Sequence, residues 1–147
     1  MKLAILLSVI AVCGVWLAWN VWNLVRIPIG LRRGEYRCAA WWTRVFSVTL
    51  CMDVSIWLWG ASRGGLDTAE TCMFVHDQRY DGAFWKSHAE EFQSFFPLHD
   101  KCNDSYDLVP VWVNPSIVVL TVLVVISLFM ICDFSVSKHL RRRKTGA

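Results

Sequence analysis

The sequence predicts an all-α membrane protein: three transmembrane helices and a disulfide-closed external loop that contains a short amphipathic helix. Three observations lead there. Apolar residues make up 55% of the 147, above the roughly 45–50% usual in soluble domains, and the excess is gathered into three blocks. Basic residues collect in the short connection and the tail that flank those blocks, whereas positions 61–114 hold nine acidic and four basic residues, a net of −5. Two cysteines, Cys72 and Cys102, fall inside that acidic segment. A chain of this length has room for one unit. Its segregated charge excludes reading the overall +3 as a nucleic-acid footprint.

The first block, 3–25, is apolar apart from Ser8, Asn20 and Asn23 and long enough to cross roughly 30 Å of hydrocarbon as a helix. A cleaved signal peptide would want a charged start, a shorter core and a small-residue cleavage site, and of these only Lys2 is present. A lipoprotein site at Cys13 is disfavoured by the bulk of Val12 just before it. Trp16, Trp19 and Trp22 gather with the two Asn at the far end, as interfacial aromatic belts do. Pro28 is expected to end the regular helix.

Positions 26–37 form a basic connection with four Arg, a single acid (Glu35), and Gly30 and Gly34 as turn formers. The positive-inside bias places it in the cytoplasm. The second block, 38–59, contains Arg44 and Asp53. Arg44 is close enough to the inner edge to snorkel its guanidinium to the headgroups. Asp53 falls on the opposite face, about 13 Å further along the axis, so the two do not pair within the helix. Together they are the candidate intramembrane polar site, since an Asp near a helix centre costs on the order of 2.5–3.5 kcal/mol on insertion scales.

The external loop spans 60–114. Phe84, His88, Phe92 and Phe95 recur at helical spacing, and Ser87 with Glu90 fits a capping box for a short helix ended by Pro97. Each buried aromatic removes roughly 150–250 Å² from water, more in total than such a loop is expected to hide within itself. Phe84, Trp85, Phe92 and Phe95 are therefore the expected partner contact. Glu90 and Glu91 beside Lys86 disfavour an anionic lipid surface as the acceptor. Cys72 and Cys102, paired in an oxidising compartment, predict a disulfide, which closes a loop of about thirty residues and adds roughly 3–4 kcal/mol in the chain-entropy model. His76, His88 and His99 lie among carboxylates, yet their spacings match no compact zinc pattern.

The third block, 115–134, is nearly pure Val, Leu, Ile and Phe. Asn114 offers an N-cap and Pro115 the first helical position. The basic tail, 135–147, stops the helix and belongs in the cytoplasm. Three spans with both basic segments inside put the amino terminus and the loop 60–114 outside a plasma membrane.

Phe96-Pro97-Leu98, Lys101-Cys102-Asn103, Tyr106-Asp107-Leu108-Val109-Pro110 and Trp112-Val113-Asn114-Pro115 together resemble the loop-to-last-helix segment of small uncharacterised integral membrane proteins of actinobacteria. The resemblance covers about a fifth of the chain. It implies a bacterial plasma membrane and an oxidising, external loop, and it carries no function to any residue.

No nucleophile elbow, phosphate-binding Gly loop, dinucleotide fingerprint or C-x-x-C occurs, so the expectation is no enzyme and no cofactor. Two function classes follow. One is a binding or scaffold component whose loop docks on another membrane or envelope protein or on a second copy, with the lipid bilayer as its solvent and no nucleic acid. The other is a subunit of a small transporter or pore using Asp53.

Overall fold

The structure is a computed structural model that describes residues 2–65 and 67–145. It is mostly helical: α1 (Lys2–Arg32), a 3-10 turn (Glu35–Arg37), α2 (Ala39–Ala61), α3 (Thr68–Glu70), a π-helical turn (Thr71–Val75), α4 (Gly82–Ser87), α5 (Ala89–Phe92), the hairpin β1 (Lys101–Asn103) and β2 (Tyr106–Asp107), and α6 (Val113–Thr145). Among the described residues two helical stretches, Ala4–Arg32 and Val113–Lys138, are long and apolar enough to cross a membrane. The chain divides into two compact units, one of residues up to Met52 together with those from Leu120, the other Asp53–Val119.

In the first unit α1 passes straight through Pro28 and ends at Arg32, two residues before Gly34, whose left-handed φ of 76° breaks the run. Proline's fixed φ is itself helical, so the expected stop reduces to one missing amide bond. The Trp41 indole adds a bond to the Ile27 carbonyl beside it, at 3.1 Å. Gly30, expected in a turn, lies inside α1, and a Cβ there would come within 2.7 Å of Trp41.

Polar side chains are turned inward in this unit and apolar ones outward. Asn20, Asn23, Thr49 and Ser127 are buried, while Val12, Val15, Val21 and Phe129 are exposed. That is the reverse of a soluble bundle. Asn20 and Asn23, grouped by sequence with the interfacial tryptophans, are thus interior. Trp16 Nε1 donates to Ser47 Oγ at 3.2 Å, Ser47 Oγ donates to Asn20 Oδ1 at 3.0 Å, and Asn20 Nδ2 returns to the Trp16 carbonyl at 2.8 Å.

The second unit has a small apolar core of Leu98, Val109, Val113 and Ile117, packed by Ile56 and Trp57. Gly60 permits the close approach of Val113 and Leu98, at 2.8 and 2.9 Å from where its Cβ would stand. Helix α6 begins at Val113 and runs through the basic tail to Thr145, further at both ends than hydropathy alone marks. Lys and Arg are good helix formers and favoured in a last turn, so a basic tail need not end the helix. Pro115 sits inside the first turn, where its missing N–H has no helical acceptor to lose.

Candidate functional site

The unit 53–119 is organised by the Cys72–Cys102 disulfide, whose Cα atoms are 5.7 Å apart. Both cysteines are fully buried with Leu108, and Tyr80 and Tyr106 pack against them. The expected pairing is therefore present, while Cys13, Cys38, Cys51 and Cys132 remain thiols.

Before Cys72, Asp67 caps α3 by accepting from the Ala69 amide at 2.8 Å, and Thr71 Oγ1 donates to the Gly64 carbonyl at 2.9 Å. The chain then widens into the π-helical turn, closed by His76 N–H to the Thr71 carbonyl at 3.2 Å. Tethering Cys72 inward leaves Phe74 and Val75 facing out, 82% and 71% exposed. Beyond them Gln78 N–H bonds the Cys72 carbonyl and Asp81 N–H the Cys102 carbonyl, both at 2.9 Å. The protruding turn is held from both sides.

Asp81 also caps α4, accepting from the amides of Ala83 and Phe84 at 3.0 and 3.1 Å. The helix breaks at His88 and resumes as α5. Ser87, expected as the cap, instead donates to the Phe84 carbonyl at 2.8 Å. The Phe84, His88 and Phe92 rings pack together, His88 stacked on Phe92 and Phe84 tilted against both, and Trp85 meets Phe92, with ring centroids 4.3–6.2 Å apart. Three of the four expected contact residues, Phe84, Trp85 and Phe92, are thus half-buried in a cluster of their own. Phe95 is 75% exposed, although one side of its ring lies 4.6 Å from Trp57, whose indole donates to the Phe95 carbonyl.

A polar knot lies beneath the hairpin. Asp107 Oδ1 accepts from the amides of Asp100 and Val109 at 3.1 and 2.8 Å, and its Oδ2 faces His99 Nδ1 at 2.8 Å. Asn103 Oδ1 takes the Ser105 and Tyr106 amides in an Asx turn. Asn114, expected only as an N-cap, forms two bonds to the buried Leu98 backbone, at 2.9 and 3.0 Å. Burial raises the Asp100 carboxyl above its ordinary 3.8; the Thr68 hydroxyl, 3.3 Å away, and the Trp85 indole pull against that, and nearby Asp107 adds to it. Tyr80 is raised as well, by burial and then by Asp67 and Asp100.

The three loop histidines are dispersed. His76 meets the Tyr106 hydroxyl at 3.2 Å, His88 belongs to the ring stack and His99 to the knot. Among the described residues no three His, Cys, Asp or Glu side chains converge on a metal position. Of the pair expected as an intramembrane polar site, Arg44 Nη1 bonds Glu35 Oε2 at 3.1 Å, and Asp53 is half-buried on α2. The role of Asp107 and the pairing of Asn114 with Leu98 were missed by sequence reasoning, which has no local signal for bonds to backbone seven and sixteen residues away.

No protein-family model, curated protein or solved structure matches this chain.

Proposed function

We propose that the chain is a multi-pass plasma-membrane protein, crossing the bilayer with α1, α2 and α6, that works as a docking component through an outward-facing acidic loop. One observation carries this reading: Phe74 and Val75 are exposed on a turn that the adjacent disulfide holds fixed. A preset apolar anchor loses little conformational freedom on binding, and large side chains inserted into a partner's pocket supply most of the energy of typical interfaces. Glu70 and Asp77 flank the turn in a segment of net −5. The complementary partner is an envelope protein with an apolar pocket rimmed by basic residues, rather than an anionic lipid surface. Since Phe84, Trp85 and Phe92 spend much of their area on one another, the contact centres on Phe74 and Val75, with Phe95 next.

A photo-crosslinking residue at Val75 in intact cells is expected to give one discrete adduct with another protein, and Phe74→Ser to lower its yield about tenfold, as loss of an interface anchor does. The reading falls if adduct yield is unchanged in Phe74→Ser while the Cys72–Cys102 bond still forms.

A second reading, a transporter or pore subunit with Asp53 as its intramembrane carboxylate, is favoured by the buried polar side chains of α1, α2 and α6. It is weakened by Trp16, Ser47 and Asn20, which bond to one another rather than line an open path.

A further inference from the structure

Trp22, Arg26, Ile29 and Arg33 follow at steps of four, three and four residues, which brings them within about 60° of one another around the helix. The helical bond from Arg33 N–H to the Ile29 carbonyl, at 3.1 Å, carries that face past the end of α1. Along it runs a groove of about 360 Å³ with Trp22, Val25 and Ile29 as its apolar lining and Arg26 and Arg33 as its charged one, a volume within the roughly 300–1,000 Å³ of small-molecule sites. Gly30 also lines the groove, and its missing side chain lets Trp41 and Glu35 Oε2 close in, at 2.7 and 2.9 Å from where a Cβ would stand.

The charges on this groove are unequal. Glu35, its one acid, is engaged by Arg44 at 3.1 Å. Arg26 lies over the Trp22 ring, 5.4 Å from its centroid, a contact that uses no hydrogen-bond acceptor. Among the described residues neither Arg26 nor Arg33 has a carboxylate partner. The end of α1 contributes about half a negative charge, which two guanidinium groups outweigh. An apolar trough and two forked donors, on a helix long enough to cross a bilayer, match one chemistry: a phosphodiester joined to a hydrocarbon chain.

We infer that this groove binds one anionic phospholipid, with its phosphate held by Arg26 and Arg33 and the start of a chain lying on Val25 and Ile29. Each arginine near a lipid surface contributes about 1 kcal/mol, or fivefold. Two give roughly thirtyfold.

The test is native mass spectrometry of the full chain in neutral detergent, titrated with phosphatidylglycerol or with phosphatidylcholine of the same chains. One phosphatidylglycerol is expected to be retained in preference. Arg26→Gln with Arg33→Gln should weaken that preference about thirtyfold, and Arg33→Gln alone about fivefold. Arg32→Gln with Arg37→Gln removes equal charge from neighbouring positions outside the groove and should leave it within about twofold. Helicity and the Cys72–Cys102 bond serve as checks on folding. No preference for phosphatidylglycerol, or equal loss in the Arg32/Arg37 pair, overturns the inference. Displacement by millimolar inorganic phosphate also overturns it, because the site would then belong to the free ion. The measurement needs no protein partner, so its failure and that of the docking reading are separable.

Discussion

Asp100 shows how one side chain can set the conditions under which its surroundings are stable. The folded environment raises its carboxyl above the ordinary 3.8, chiefly by burial, so the folded form binds the proton more tightly than the unfolded chain. Stability from this group is therefore complete below the ordinary value and is lost as pH rises through the raised one. Thermal melts of the detergent-solubilised protein should show the melting temperature falling with pH across that window. Asp100→Asn, which stays uncharged, should abolish this part of the slope; an unchanged slope would show that Asp100 is not its source. At this scale the sequence was legible where chemistry leaves one choice, as with Cys72 and Cys102. It was illegible where a partner lies far along the chain, as Thr68 lies from Asp100 and Leu98 from Asn114.

At the scale of elements, caps decide where the short helices of the loop begin. Ser87 and Glu90 fit a capping box, yet Asp81 six residues earlier has the better acceptor and takes two amides. The helix starts there. Asp81→Ala should destabilise the protein by about 1 kcal/mol, and Ser87→Ala by a few tenths at most; equal effects on the melting temperature would reverse the assignment. Pro28 and the basic tail make a related point. A proline and a run of charge both read as stops, but neither is incompatible with helical dihedrals, and α1 and α6 continue through them. The reliable stop was Gly34, where φ is positive.

For the whole molecule, the blocks of hydropathy located the long helices because hydrophobicity is a local property. The inward turn of Asn20, Asn23 and Ser127 was hidden, since an asparagine beside tryptophans reads alike at an interface and in an interior. Orientation is proposed from charge alone, and it can be tested directly. With Cys13, Cys38, Cys51 and Cys132 replaced by serine, Gly82→Cys should react with an impermeant maleimide on intact cells and Gly34→Cys should not. The opposite pattern would invert the topology and place the disulfide on the wrong side of the membrane for its oxidation.

The two bonds between Asn114 and Leu98 have a mechanical consequence. A pull applied at Phe95 would meet the Trp57 indole on its carbonyl and, three residues on, the Asn114 amide gripping both polar groups of Leu98. Tension would pass at once into α2 and the first turn of α6, by two routes in parallel. A tug on this edge would therefore reach both helices through side-chain bonds, without first travelling along the hairpin.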